Sequence, residues 1–519
     1  MKRLLIAFAL ICGSAFGQVM TGQAAARFLD QASWGPTAAS IAELQQVGIP
    51  NWLSAQFALN TSDLPDQPIL DAAGKPNGVL APVEQAFFQN AVTGEDQLRQ
   101  RVAFILSQIW VVSALGENYA YAFPPYWRVL RDNAFGNYRD VIKAVTLNPA
   151  MGRYLNMANN NKANPATNTA ANENYGRELM QLFTLGLSQL NPDGSAVVDH
   201  NGIPVPTYNQ AIVTQMAKAF TGWTYPTAPG AKVKRNNPAY YFGQMFAVEA
   251  EHDTTAKAIF GNVTIPAGQT AEQDLESVLD ALMAQNTMAP FVCTQLIQHL
   301  VTSNPSPQYI ERVSNVFLND GTGVRGNLKA VITAILTDPE ARAGDEPNAA
   351  VNPTFGHMRE PILFMTNILR GLNATLGPNS AVYGDASLAG ESLFHSASVF
   401  SYFSPQYRIT GGLLGPEFQI YTTATSTDRA NLVNAVLYAK LDKSTTVDLS
   451  PFERTAAGAT WLVNYINQVF LHGQMSASLQ QAVTDAVNAA AEASAANPES
   501  MAQAALYVTL TSNEYQIIQ

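Results

Sequence analysis

Cysteine is nearly absent from this 519-residue sequence, which contains only Cys12 and Cys293. Cys12 lies in the apolar N-terminal segment, so a chain that loses this segment keeps one cysteine and cannot form an intrachain disulfide. A chain of this length can bury a sizeable core without crosslinks. Because Cys293 is flanked by Phe291, Val292 and Leu296, we expect its thiol to be buried and unreactive.

Positive charge and long apolar runs are also scarce. The sequence has 29 Lys and Arg against 40 Asp and Glu, a net charge of −11. This acidity repels phosphate backbones and anionic lipid, so we expect no nucleic-acid partner and no binding to a membrane surface. After the N-terminus, the most apolar stretch is residues 102–115. Ser107 and Gln108 interrupt it, so it predicts a buried helix rather than a transmembrane segment.

The first 17 residues have the pattern of a secretory signal peptide. Lys2 and Arg3 precede an apolar run over residues 4–12, and Ala15 and Gly17 supply the small residues that a signal peptidase requires. We therefore predict cleavage after Gly17 and an exported protein, periplasmic or extracellular. An N-terminal anchor is disfavoured because the run is too short to cross a bilayer.

A lipoprotein is the other alternative for this segment, with an acyl chain on Cys12. It is disfavoured because Ile11 stands where a lipoprotein signal has a small residue. Residues 18–519 are predicted to form one continuous helix-rich unit; an arrangement of two lobes without a clear linker is the alternative.

Helix signals dominate this unit, so the predicted fold class is mainly α. Ser306 and Pro307 are typical of a helix start, and a further helix is expected to begin near Asn327 and to stop at Asp338-Pro339. Residues 479–495 are alanine-rich and helical, and Pro498 opens a last helix. Irregular insertions rich in proline and glycine are expected between about 189 and 270, and Ala196-Val197-Val198 is a candidate for one small β-hairpin.

The segment 172–186 carries the most informative charges. Asn172 can cap a helix here and Gly186 can end it. Glu173 and Arg177 are spaced i, i+4 on the polar face, which favours a solvated ion pair. Glu178 instead lies on the border of the apolar face. A carboxylate there is either paired within the fold or held in a site with a raised pKa.

Two further charged motifs are candidates for chemistry. His252 and Asp253 suit metal ligation or general-base catalysis, or else a structural hydrogen bond. The phosphohydrolases that use a His-Asp pair need more histidines, and the chain has only six. Arg359 and Glu360 precede Pro361 at a helix entrance, where they would act as capping or site groups.

Well-known catalytic and cofactor motifs are missing. The sequence has no Gly-x-Ser-x-Gly elbow, phosphate loop, dinucleotide fingerprint or His-Glu-x-x-His. These absences carry more weight than any single motif that is present. No cofactor can be assigned.

Several ordered segments together resemble the large bacterial family named domain of unknown function 1800. The core of the resemblance is residues 173–179, ENYGREL, although Gly176 stands where alanine is expected. The other segments are residues 27–29, 34–36, 99–104, 151–155, 161–162, 220–223, 252–253, 300–306, 359–361, 398–400, 416–418 and 506–519. The resemblance covers nearly the whole chain. It implies export, and it implies no particular activity.

Two functions therefore stay open. The favoured one is a non-catalytic binding or assembly role with an envelope or extracellular polymer, or a protein, as partner. The alternative is an extracytoplasmic hydrolase of such a polymer. In it, Glu178 is the acid or base, His252 and Asp253 are partners or metal ligands, and Arg177 or Arg359 stabilises an anion. The alternative requires Glu178 to share one cavity with His252 or Arg359.

Overall fold

The computed structural model describes residues 20–116, 119–260, 263–346, 349, 352–439, 441–453 and 458–519. The predicted signal peptide, with Cys12, lies outside the described residues. Export and the cleavage site stay predictions, as does the division of residues 18–519 into one or two lobes.

The described residues contain 20 α-helices, which confirms the mainly-α fold class. In the first half these are α1 Gly22–Ala32, α2 Ala38–Ala58, α3 Ala81–Thr93, α4 Gln97–Ile109, α5 Phe123–Asp132, α6 Tyr138–Thr146, α7 Pro149–Tyr154, α8 Asn174–Glu178 and α9 Gln210–Ala219. In the second half they are α10 Ala271–Met283, α11 Met288–Leu300, α12 Pro307–Leu318, α13 Leu328–Thr337, α14 Pro339–Arg342, α15 Pro361–Gly371, α16 Val382–Leu388, α17 Thr423–Asn434, α18 Gly458–Phe470, α19 Ala477–Ala493 and α20 Pro498–Leu510.

Several helix boundaries follow the sequence signals. The Ser306 hydroxyl accepts the Tyr309 N–H at the start of α12, and the Asn327 side chain accepts the Ala330 N–H at the start of α13. Pro498 is the first residue of α20. These predicted helix starts are confirmed because each depends only on a capping group and its own first turn.

The strands are short and form two-stranded antiparallel sheets. In chain order they are β1 Trp223–Thr224, β2 Phe246–Ala247, β3 Lys257–Ile259, β4 Val263–Ile265, β5 His357–Met358, β6 Thr375–Leu376, β7 Thr445–Thr446 and β8 Ile517–Ile518. The pairs are β1 with β2, β3 with β4, β5 with β8 and β6 with β7. The β5–β8 pair brings the C-terminal segment beside Arg359.

The hairpin predicted around residues 196–198 does not form a regular ladder. The structure has single bridges there, Leu190 with Ala196 and Val198 with Pro204. Proline has no N–H to donate, so Pro204 and Pro206 interrupt the pairing. The predicted irregular insertion is confirmed, with β1 to β4 in its later part.

Two helices lie at the centre of the core. Every residue of α15 is buried, as are most residues of α4; a helix enclosed on all sides is typical of the core of a large protein. The helix predicted for residues 102–115 ends earlier, at Ile109, because the chain then extends and the Ala114 N–H pairs with Phe394 O. Among the described residues, no helix is both long and apolar enough to cross a membrane.

Candidate functional site

The predicted helix over 172–186 changes its winding in the middle. The Asn172 side chain accepts the Asn174 N–H at 2.9 Å, and α8 then passes into a π-helix, Leu179–Thr184. The Thr184 hydroxyl donates to Leu179 O at 2.6 Å, and Gly186 ends the segment at φ +72°. A helical wheel assumes the α-helical turn for every residue. The faces that it assigns are therefore wrong beyond Glu178, where the π-helix begins. Met180 is therefore fully buried, although the wheel does not place it on the apolar face.

Glu173 and Arg177 form the predicted ion pair. Arg177 Nη2 lies 2.9 Å from Glu173 Oε2, and both side chains are about one-third exposed. Gln210 also donates to both Glu173 oxygens. Hydrogen bonds from Gln210, Thr214 and Arg177 lower the pKa of Glu173. The pair is a local surface network.

Glu178 is half-buried at the edge of the apolar face. Its Oε2 is buried and has no hydrogen-bond partner among the described residues. Burial raises the pKa of its carboxyl, and the Arg177 charge only partly opposes this. Glu178 acts electrostatically on Tyr154 and Tyr208. Of the two alternatives that the sequence left open for Glu178, the environment fits a carboxylate with a raised pKa. Its action on a substrate stays a prediction.

His252 is fully buried in a network of its own. Its Nε2 lies 3.1 Å from Asp274 Oδ2, and its Nδ1 lies 2.9 Å from Thr221 O. Lys257 Nζ contacts the same Asp274 oxygen at 2.6 Å, and all three side chains are inaccessible to solvent. This arrangement fits a structural histidine.

Asp253 faces away from this network into a tight turn. Its Oδ1 accepts both the backbone N–H and the hydroxyl of Thr255, at 2.9 and 2.6 Å. Burial opposes the charge, but these bonds and Lys257 lower the pKa of Asp253. No group of three or more His, Cys, Asp or Glu side chains able to hold a metal occurs in the part of the chain that the structure describes.

Arg359 belongs to a third network, near the C-terminal segment. Its guanidinium makes two hydrogen bonds of 2.6 Å with the Asp30 carboxylate and one of 2.8 Å with Tyr515 O. Asn367 donates to Asp30 and accepts from the Tyr515 hydroxyl. We name Asp30, Arg359, Asn367 and Tyr515 the Asp30 network. Desolvation opposes the charge on Arg359, but Asp30 raises its pKa.

The structure thus places Glu178, His252 and Arg359 in three separate environments. No hydrogen bond or ion pair between described residues joins them, and none of them lines the cavity described below. The expected convergence is not observed, because His252 and Arg359 are satisfied within their own networks. The catalytic roles suggested for these residues stay predictions.

Glu360 enters a different set of buried side chains. Its Oε2 accepts a 2.9 Å hydrogen bond from Gln108 Nε2, and its Oε1 lies 3.7 Å from Arg101 Nη1. Glu391 Oε2 accepts the Ile362 N–H and so caps α15. Glu417 Oε1 lies 3.2 Å from His357 Nδ1. We name Arg101, Gln108, His357, Glu360, Glu391 and Glu417 the carboxylate cluster.

Two acids of the carboxylate cluster, Glu360 and Glu391, raise each other's tendency to stay protonated. Burial raises the pKa of Glu391 well above its ordinary value, and the nearby Glu360 carboxyl raises it further. Burial also raises the pKa of Glu360, although Arg101 and Gln108 oppose the shift. A pair of this kind is stable when one proton lies between two carboxyl groups.

The carboxylate cluster is incompletely hydrogen-bonded. Five of its members have a buried atom without a hydrogen-bond partner among the described residues. These atoms are Arg101 Nε and Nη1, Gln108 Oε1, His357 Nε2, Glu391 Oε1 and Glu417 Oε2. Buried polar atoms in native proteins are usually paired. Their concentration here therefore indicates a place that water or a ligand completes.

A cavity of about 690 Å³ lies beside the carboxylate cluster and includes Gln108 in its wall. Its other walls come mainly from the π-helix, the segment 186–194, α11 and the segment 399–406. They are rich in leucine, phenylalanine and glutamine, and no lysine, arginine, aspartate or glutamate lines the cavity within the described chain. His299 also lines it, and burial together with the Arg101 charge lowers the pKa of His299 to about 3. The wall is therefore uncharged at neutral pH.

Sequence reasoning predicted Glu360 as a site residue but missed Gln108, His299 and Ser401. Gln108 lies seven residues after Arg101 on α4, so helical spacing could have grouped the two. Arg101, Glu360 and Glu417 belong to three of the segments that carry the family resemblance, and the 398–400 segment contributes to the cavity wall. Three of the resembling segments thus meet in the carboxylate cluster, and a fourth lines the cavity beside it.

Comparison with known proteins supports the resemblance. A family model described as protein of unknown function (DUF1800) matches residues 27–517, so the chain belongs to this family. No curated protein matches the chain. No solved structure matches it either.

Proposed function

We propose that this member of the DUF1800 family is an exported, non-catalytic binding protein that holds an uncharged segment of an envelope or extracellular polymer in the 690 Å³ cavity. The observation that carries the proposal is the wall of that cavity, which is apolar and amide-rich and has no charged side chain among the described residues. Ligand sites are commonly apolar cavities of this size with a few well-placed polar groups.

The position of the acids supports binding rather than hydrolysis. A general acid or base must come within about 3 Å of its substrate proton. Glu360, Glu391 and Glu417 are at most 4% exposed, and Glu360 is hydrogen-bonded to Gln108, which itself lines the cavity. The carboxylate cluster is thus placed to orient Gln108, and a ligand in the cavity meets an amide first.

Export is the second part of the proposal and rests on the N-terminal sequence, with Lys2, Arg3, the apolar run and the small residues Ala15 and Gly17. A net charge of −11 keeps the chain away from anionic surfaces. An uncharged polymer segment outside the cytoplasm is compatible with both the charge and the cavity.

Calorimetric titration of the purified chain tests the proposal. The probes are uncharged hexasaccharides (maltohexaose, cellohexaose and chitohexaose), an uncharged hexapeptide, and the charged ligands hexagalacturonate and hexalysine. We expect an uncharged probe to bind and to remain uncleaved by mass spectrometry after long incubation. Binding of charged probes alone, failure of all the probes to bind, or cleavage of the bound probe would overturn the proposal.

Two aromatic variants localise the binding. Phe400 lines the cavity and is 45% exposed, so Phe400→Ala should weaken binding about tenfold without loss of fold. Tyr438 has a similar exposure, 50%, and does not line this cavity. Tyr438→Ala is therefore the matched control and should bind like the unaltered chain. Equal affinities for both variants would place the ligand elsewhere.

A further inference from the structure

We infer that the ligand of the cavity is a saccharide whose hydroxyl groups donate hydrogen bonds to Gln108 and Ser401. The inference rests on the proposed function and adds the chemical class of the ligand. The observation behind it is that both side chains line the cavity and each has a buried oxygen without a partner among the described residues.

Gln108 is fixed as a hydrogen-bond acceptor. Its side-chain amide N–H donates to Glu360 Oε2 at 2.9 Å, and the reverse orientation would set two acceptor oxygens against each other whenever Glu360 is ionised. Its Oε1 is left as the free group, and the side chain is only 5% exposed. A carbonyl oxygen can only accept. The ligand must therefore bring a donor, and a carboxylate or phosphate dianion has none.

Ser401 supplies the second polar contact. Its side chain is 4% exposed, and its hydroxyl has no partner among the described residues. The backbone at Ser401 adopts φ +70°, an uncommon conformation for serine that fixes where the hydroxyl lies. A buried unpaired hydroxyl costs free energy unless a ligand or water completes it.

The other glutamines extend the same pattern. Gln298 and Gln295 direct amide N–H groups to the backbone oxygens of Ser303 and Phe291, at 3.1 and 3.4 Å. Gln181 does the opposite, since its Oε1 accepts from the Tyr208 hydroxyl at 3.0 Å. The wall therefore offers mainly acceptors and a few donors. Sugar hydroxyls match this because each donates and accepts.

The apolar part of the wall suits a sugar as well. Phe291, Phe400 and Phe403 line the cavity, and aromatic faces pack well against the C–H faces of pyranose rings. A peptide would present one backbone carbonyl for each N–H, and its carbonyls would face the acceptor oxygens of the wall. The balance of donors and acceptors thus favours a saccharide over an uncharged peptide.

The test compares a binding hexasaccharide with its per-O-methylated form, which keeps the neutral charge and the acceptor oxygens but has no hydroxyl donor. We expect methylation to abolish calorimetric binding. Ser401→Ala should weaken binding of the unmodified sugar about 5- to 10-fold while leaving the melting temperature unchanged or higher, since no protein hydrogen bond is lost. Ser314→Ala is the matched control, because Ser314 is fully buried and does not line the cavity.

The outcomes separate this inference from the proposed function. Equal binding of the methylated sugar, binding of the uncharged peptide alone, or an unchanged affinity in Ser401→Ala would overturn the saccharide inference. In each of these cases the cavity would still hold an uncharged ligand. Loss of binding in Phe400→Ala with none in Ser401→Ala would likewise leave the proposed function standing.

Discussion

Arg359 and Glu360 are neighbours in the chain, yet they enter two buried networks that differ in completeness. In the Asp30 network, Asp30, Arg359, Asn367 and Tyr515 satisfy one another, and none of these four has an unpartnered buried atom in the described structure, although the neighbouring His472, whose Nε2 lies 3.2 Å from Asp30 Oδ2, makes no hydrogen bond through that atom. In the carboxylate cluster, five of six members have an unpartnered buried atom. The first network borders the C-terminal segment, and the second borders the cavity. Buried charge is common to both networks, whereas the unpartnered atoms are concentrated in the network beside the 690 Å³ cavity.

The largest effect is expected in the complete network. Arg359→Met leaves the buried Asp30 carboxylate without its principal partner, so the free energy of unfolding should fall by about 3–5 kcal/mol. Urea denaturation measures this. The double variant Arg359→Met with Asp30→Asn should recover part of the loss, since no unpaired charge remains. A loss below about 1 kcal/mol in the single variant would show that the network is not what holds α1 to α15.

The next prediction concerns the carboxylate cluster. Here replacing a buried charged group should cost little stability, in contrast to Arg359→Met. Because the folded state raises the pKa of Glu391 above its ordinary value of 4.5, the native protein holds a proton there that the unfolded chain releases. Stability from this group is therefore present below about pH 4.5 and falls as pH rises above it. Glu391→Gln should flatten this decline and should cost little stability at pH 8.

Denaturant titrations from pH 4 to pH 9 test that decline. Glu43→Gln, at an exposed position in α2, is the control and should keep the pH dependence of the unaltered chain. If the free energy of unfolding falls more steeply with pH in Glu391→Gln than in the unaltered chain, Glu391 is ionised in the folded protein and its hydrogen-bond partners are complete.

What the sequence could predict depended on how far apart the interacting residues lie in the chain. The capping serine at 306 and the ion pair of Glu173 with Arg177 depend on residues within one turn, and both were predictable. Gln108 and Glu360 are 252 positions apart, and no local pattern links them. The π-helix was missed because a helical wheel assumes a constant turn. His252 and Asp253 were predicted as site residues from their residue types alone. No local pattern in the sequence indicates that Thr221 and Asp274 are the partners of His252.

Two glutamates of the central motif, Glu173 and Glu178, sharpen the comparison on a smaller scale. Glu173→Ala removes a partly exposed pair, so it should cost under about 1 kcal/mol. Because Glu178 borders the apolar face, the sequence predicts that Glu178→Ala removes a buried partner and costs several times more, or abolishes activity. The structure provides no hydrogen-bond partner for Glu178 Oε2 among the described residues, so Glu178→Gln should leave stability at neutral pH unchanged or higher. Thermal unfolding at pH 7.5 compares the two; a large loss in Glu178→Gln would reveal a partner of the ionised carboxylate.

The smallest effect is expected at Cys293, on the helix that separates the cavity from the core. In α11, Thr294 and Gln298 line the cavity, while Cys293 and Leu296 are fully buried. Burial raises the pKa of the Cys293 thiol, so native protein should react with a maleimide no faster than it unfolds, and reductant should not change its stability. Thr294→Cys should react rapidly, and a bound hexasaccharide should protect it. Rapid labelling of Cys293 itself would mean that α11 moves away from the core and that the cavity can become larger than the 690 Å³ of this structure.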